Sequence, residues 1–181
     1  MSDIKNPEKP FESPTSGSPD GAPSTGATDL SDEDIREGVE LLFYAYRDFI
    51  SDPDEMLKEY GFGRAHHRVV HFVARNPGMT VSELLSILRI TKQSLGRVLK
   101  QLVDQGFILQ ASGVTDRRQR LLSLTDKGQE LENRLSALQR ARVGDAWKQA
   151  GPEAIAGYKK VLANLINPAD REEILKTIKK R

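Results

Sequence analysis

Six polar side chains fall on one side of a single predicted helix: Lys92, Gln93, Ser94, Arg97, Lys100 and Gln101. Lysine and arginine neutralise phosphates, arginine pairs bidentately with guanine, and glutamine does the same with adenine. Such a row recognises a partner and makes or breaks no covalent bond. A second group follows at Asp116-Arg117-Arg118-Gln119-Arg120. Three arginines there repel one another unless an anion is near, and a narrow minor groove supplies one. The third constellation is His66, His67 and His71. His67 and His71 are four apart, share a helix face and could ligate zinc, but no third ligand is identifiable. Ordinary partly buried histidines account for them better than a metal site does.

The elements that must position the first group are legible in the apolar spacing. Leu95, Val98, Leu99, Leu102 and Val103 recur at i, i+3, i+4, i+7 and i+8, the buried face of an α-helix. Thr91 is its expected N-cap and Gly106 its stop. Upstream, Thr80 and Glu83 form a T-x-x-E capping box before Leu84, Leu85 and Leu88. That helix ends at about Arg89, leaving only Ile90 and Thr91 as connection. Two helices so closely joined, the second with a polar and basic outer face, read as helix-turn-helix. Phe107-Ile108-Leu109-Gln110 and Leu121-Leu122-Ser123-Leu124 flank the arginine-rich loop and read as a β-hairpin, the wing.

Further helices are expected on both sides. One begins at Ser31 with the acidic run SDED, carries Ile35, Val39, Leu42, Phe43, Tyr46, Phe49 and Ile50, and ends near Ser51-Asp52-Pro53. A short turn of helix over Asp54–Tyr60 and a helix from Arg64 to Arg75 follow. Beyond the hairpin, a helix from about Asp126 to Ala150 carries Leu131, Leu135 and Leu138, with a bend expected at Gly144. Gly151-Pro152 breaks it, and two more amphipathic helices, punctuated by Asn167-Pro168, reach the end of the sequence. A winged helix of about 65 residues can cover only part of these apolar stripes. Pairing of the helices from both chain ends with a second subunit is the economical solution, and it presents two reading helices to a two-fold DNA site.

Composition narrows the function classes. Residues 1–27 hold five of the nine prolines, three glycines and scarcely an apolar side chain, which predicts a disordered arm over residues 1–28. With no cysteine, disulfides and thiolate metal sites are excluded. No apolar run approaches the ~20 residues of a membrane span, and no signal-peptide pattern opens the sequence, so the cytoplasm is the default compartment and no membrane partner is expected. The net charge of +1 hides a basic middle: Arg64 to Arg120 holds ten Lys/Arg against three acids, a balance of +7, and the remainder balances at −6. A polyanion is attracted to such a middle and repelled by its flanks. No G-x-S-x-G, phosphate-binding glycine loop or H-E-x-x-H is present. Neither an enzyme, a cofactor nor a bound metal is expected.

The run TVSELLSILRITKQSLGRVLKQLVDQGFI, followed by TDRRQRLLSLTDKG, resembles the MarR family of bacterial winged-helix regulators. The D-x-R wing and the step Leu124-Thr125-x-x-Gly128 are specific in combination, and the resemblance covers about Ser31 to Ile166. It implies an obligate homodimer, a palindromic double-stranded DNA site, action more often as a repressor than as an activator, and often a small-molecule effector bound where dimer helices meet the DNA-binding lobe. Arg118 matches the family's minor-groove arginine and Asp116 the acid that orients it. Of the longer pattern D-x-R-D-x-R, the first half is replaced here by Gly113-Val114-Thr115.

The expected fold class is therefore mainly α with a small β-hairpin wing: a winged helix-turn-helix flanked by N- and C-terminal dimerisation helices. Residues 29–181 form one domain, with the winged core at about 62–125 and dimerisation helices at about 31–51 and 126–180. The expected DNA-binding residues are Thr91, Lys92, Gln93, Ser94, Arg97, Lys100, Asp116, Arg117, Arg118 and Arg120. Gln93, Ser94 and Arg97 read bases, while Lys92, Lys100, Arg117 and Arg120 hold phosphates. Phe43, Tyr46, His67 and His71 are candidates for an effector pocket. The alternative is a winged-helix module that binds a protein partner without sequence-specific DNA recognition; a steep salt dependence and discrimination between sequences separate the two.

Overall fold

The computed structural model describes residues 30–113, 116 and 118–179. The arm expected over residues 1–28 lies outside the described residues, and so do Val114, Thr115 and Arg117. Two compact units divide the chain after Gly38. Element order is α1 (Asp32–Lys58), α2 (Arg64–Arg75), β1 (Met79–Thr80), α3 (Val81–Leu88), α4 (Lys92–Asp104), β2 (Ile108–Ser112), β3 (Arg120–Leu124), α5 (Asp126–Leu165) and α6 (Pro168–Lys179). The fold is mainly helical with a small antiparallel sheet and a hairpin wing, as the apolar spacing predicts.

In the first unit, Ser31 and Asp34 cap the start of α1 reciprocally. The Asp34 amide donates to the Ser31 hydroxyl and the Ser31 amide to the Asp34 carboxylate, each at 3.1 Å. The Ser31 hydroxyl, which donates to the Asp34 carboxylate at 2.6 Å, and then the Ser31 amide hold this carboxyl below its ordinary range. The cap expected at Ser31 is thus present.

The second unit contains the core. Leu57, Val69, Val70, Val73, Leu84, Leu95, Leu102, Phe107, Ile108, Leu122 and Leu135 are all essentially buried, drawn from seven helices and strands and the α4–β2 connection. β3 is central in the sheet order β1-β3-β2. Met79 pairs with Leu122, and Gln110 pairs with Leu122 from the other side. The two-residue strand β1 was not apparent from the sequence, because no period can be read from two residues. Its edge is held by the Gly78 amide, which donates to the Leu122 carbonyl at 2.8 Å.

α1 does not stop at Pro53. It continues to Lys58 because Ile50, Pro53 and Leu57, three and four apart, form a buried stripe. Packing of that stripe outweighs the hydrogen bond that proline cannot donate. Gly144, the site of an expected bend, keeps helical dihedrals; the non-helical residue inside α5 is Gly151, at φ 81° and ψ 170°, at the expected Gly151-Pro152 break.

α1 and α4 end by the same device. After α1, the Gly61 amide donates to Lys58 and the Phe62 amide to Leu57; after α4, the Gly106 amide donates to Val103 and the Phe107 amide to Leu102. Gly61 and Gly106 have φ of 68° and 74°, the left-handed conformation that closes a helix and favours glycine. The phenylalanine after each glycine folds back into the core. Phe62 and Phe107 meet there edge to face, with ring centroids 5.2 Å apart.

Candidate nucleic-acid interface

The interface begins with caps. The Glu83 amide donates to the Thr80 hydroxyl at 3.2 Å and the Thr80 amide to the Glu83 carboxylate at 2.7 Å, the capping box read from T-x-x-E. The Thr80 amide, then its hydroxyl, keeps the Glu83 carboxyl below the usual carboxylate range. α3 closes at Arg89, whose φ of 50° is, among the described residues, the one left-handed value outside glycine. Two contacts fix this turn from outside: Arg68 of α2 donates to the Leu88 carbonyl at 2.9 Å, and Arg89 pairs with Asp170 of α6 at 2.5 Å.

Thr91 then caps α4, its hydroxyl accepting from the Ser94 amide at 3.1 Å and donating to the Ser94 hydroxyl at 2.9 Å. Leu95, Val98, Leu99 and Leu102 are buried, which turns Lys92, Gln93, Ser94, Arg97 and Lys100 to the exterior. Among the described residues Lys92, Gln93 and Arg97 have no hydrogen-bond or ion-pair partner, so their donors are available to a ligand. Lys100 is paired with Asp104 at 2.5 Å across one helical turn. Gln101 is turned back onto α2, where its carbonyl oxygen lies 2.6 Å from Nε2 of His66.

The opposite end of α4 is joined to α5 through Thr125. Its hydroxyl accepts from the Gly128 amide at 3.0 Å, capping α5, and donates to the Gly106 carbonyl at 2.7 Å, closing α4. Gly128 presses so closely on the Phe107 carbonyl that a β-carbon would lie 2.1 Å from its oxygen. Lys127 adds a bond to the Gln105 carbonyl at 2.9 Å and lies 4.2 Å above the Phe107 ring. The Leu124-Thr125-x-x-Gly128 step is therefore a joint between two helices.

In the wing, Asp116 Oδ1 accepts from the Arg118 amide at 2.9 Å, so this carboxylate shapes the turn through the backbone. Gly113 lies where a β-carbon would approach the Asp116 carbonyl oxygen to 2.7 Å. Arg118 is exposed. Arg120 donates to the Ser112 hydroxyl at 2.7 Å across the hairpin. Arg117 lies outside the described residues.

The four pocket candidates divide. Phe43 and Tyr46 are 64% and 54% exposed, and Phe43 makes an edge contact with Tyr44. His67 is buried, and His71 Nδ1 lies 3.6 Å from Glu132 of α5. Burial, then repulsion from His71, lowers the His67 pKa below its ordinary value, opposed by Asp54 and Glu132. Two open clefts are formed elsewhere: one of about 220 Å³ between α2 and α5, lined by Ala74, Arg75, Gln129, Glu132 and Arg140, and one of about 450 Å³ beside Met56 and Leu138. Neither is lined by the four candidates. Among the described residues, no group of three or more His, Asp or Glu is placed to hold a metal ion, and no helix is long and apolar enough to cross a membrane.

Sequence reasoning named His66 only as one of three neighbouring histidines and missed its bond to Gln101, the Arg68–Leu88 contact and the inward role of Gln101. Each contact joins residues far apart in sequence, and periodicity marks only that a face is buried or exposed.

A capped helix-turn-helix with an outward donor row, followed by a hairpin wing, defines the winged-helix class of DNA-binding proteins. The MarR family model matches residues 60–119. The chain is 49% identical over 142 residues to the HTH-type transcriptional regulator PetP of Rhodobacter capsulatus, covering 78% of this chain and 86% of the relative. It is 25% identical over 111 residues to the homoprotocatechuate degradative operon repressor of Escherichia coli, covering 61% and 72%. Its fold is similar to the crystal structure of Streptococcus pneumoniae FabT in complex with DNA, at a TM-score of 0.67 and 21% identity, covering 80% of this chain and 99% of that one. The chain belongs to the MarR family. It is a DNA-binding transcriptional regulator of that type, and the family consists of regulators, not enzymes.

Proposed function

We propose that the protein is a repressor that binds a palindromic operator as a homodimer and releases it in response to a small molecule. The observation that carries the reading is the donor row of α4, exposed and unengaged at Lys92, Gln93 and Arg97. In this reading Gln93, Ser94 and Arg97 contact base edges, Thr91 and Lys92 lie at the backbone, and Lys100 exchanges Asp104 for a phosphate. Arg118 enters the minor groove from a turn set by Asp116, with Arg117 and Arg120 on flanking phosphates.

Dimerisation is supported by the large apolar side chains left uncovered on α1, from Val39 to Tyr46, and on the last helices at Tyr158, Val161, Leu165 and Ile178. These agree with dimerisation helices at about 31–51 and 126–180 around a winged core at about 62–125. Repression is supported by the name of the Escherichia coli relative. The cleft between α2 and α5 is a better candidate for an effector than Phe43 and Tyr46, because it joins the DNA-reading lobe to the longest helix.

The test is selection of bound duplexes from random DNA. A two-fold symmetric motif with half-sites ~34 Å apart is expected. No enrichment would overturn the reading and favour a protein-interaction module.

A further inference from the structure

We propose that His66 is a positioning residue for sequence discrimination: acting through Gln101, it fixes the rotation of α4 about its own axis. The proposal rests on the reading that α4 contacts bases.

Ser94, Arg97 and Gln101 are spaced three and four apart and run along one side of α4. The last of them bonds back to His66 in the first turn of α2. His66 is itself held on three sides. Its Nδ1 accepts from the Gly63 amide at 3.1 Å, and its ring lies parallel to Phe62 with an interplanar angle of 8° and centroids 4.5 Å apart. It is 9% exposed. Because Nδ1 accepts from a backbone N–H, the ring proton is on Nε2, which donates to the Gln101 carbonyl oxygen at 2.6 Å. Phe62 is in turn packed against Phe107 at the far end of α4.

The apolar contacts of Leu95, Leu99 and Leu102 and the Thr125 joint hold α4 in place, but none of them reaches its polar side directly. A part-buried, directional hydrogen bond supplies that link. Rotation by roughly 20° would move atoms at the helix surface by about 2 Å, whereas a bidentate base contact tolerates only about 0.5 Å. Phosphate contacts are less exacting. Loosening the His66–Gln101 bond therefore reduces discrimination more than it reduces general affinity.

The experiment measures affinity for the selected operator and for a scrambled duplex of equal length, at one salt concentration. The proteins are the parent, His66→Asn, Gln101→Leu, the double variant and Arg97→Ala. His66→Asn retains an acceptor for the Gly63 amide and loses the reach to Gln101, while Gln101→Leu lies on the exposed side of α4. Melting midpoints confirm that each variant is folded.

Each single variant is expected to lose about tenfold on the operator, with scrambled DNA unchanged within about twofold and the double variant no worse than the worse single. Operator losses that multiply in the double variant would overturn the proposal, since Gln101 would then act on DNA independently of His66. Unchanged discrimination in His66→Asn, with discrimination lost in Arg97→Ala, would overturn it while leaving the reading of α4 intact. Unchanged discrimination in Arg97→Ala as well would overturn that reading, and the proposal with it.

Discussion

The helix-turn-helix lobe and the terminal helices are both amphipathic, and their apolar faces meet different fates. In the lobe, Leu84, Leu95, Leu102 and Leu122 are fully buried. On the helices that flank it, Phe43 is 64% exposed and Val161 59%, and α6 has no buried residue at all. Periodicity tells that a face is apolar; it does not tell what covers it. The lobe closes its core within the chain, with Leu57 of α1 and Leu135 of α5 joining it, whereas the outer parts of the terminal helices leave apolar side chains uncovered, which we propose are covered by a second copy.

Substitutions that treat the two regions alike should separate them. Leu102→Ala in the lobe should cost about 2–5 kcal/mol, read from denaturant unfolding, and the loss should not depend on protein concentration. Val161→Ala should show the opposite pattern: its effect on the melting midpoint should change over about a hundredfold range of concentration, because it acts through association. A concentration-independent loss would place Val161 in an internal core and undo the contrast.

The next effect in size is expected at the joint between the regions. Gly128→Ala puts a methyl group onto the Phe107 carbonyl and should cost about 1–3 kcal/mol by the same measurement. Thr80→Ala removes the reciprocal cap of α3 and should cost about 1 kcal/mol, with thermal unfolding as the check.

The smallest effect concerns pH. The folded state lowers the His67 pKa below its ordinary 6.5 through burial and the neighbouring His71. The unfolded chain therefore binds that proton more readily than the folded one. Stability is complete above 6.5 and declines as pH falls through 6.5 toward the lowered value. His67→Gln should flatten this decline in melting midpoints taken from about pH 7.5 to about pH 5. An unchanged slope would assign it to other groups.

Most of the lobe was legible because its signals are local. Thr80 with Glu83, Thr91, and Gly106 after a helical period each mark a helix end within four residues, and the structure has each cap in place. α1 was misjudged at Pro53 because the burial that carries the helix past proline comes from tertiary packing. The donor row of α4 was read correctly as exposed, but its inner member was not separable from the rest: Gln101 bonds to a histidine 35 positions away. The Arg89–Asp170 pair spans 81 positions and was invisible for the same reason.

The Thr125 hydroxyl closes one helix and opens the next, and Gly128 leaves no slack between them. Residues 126–150 extend from that point as a shaft of about 37 Å. In mechanical terms this is a crank: the Thr125 bonds tie the base of the shaft directly to the C-terminal end of α4. A tilt of roughly 5° is a displacement of about 3 Å at the far end of such a shaft. The ratio also works in reverse, so DNA seated on α4 would be felt, enlarged, at the distant tip.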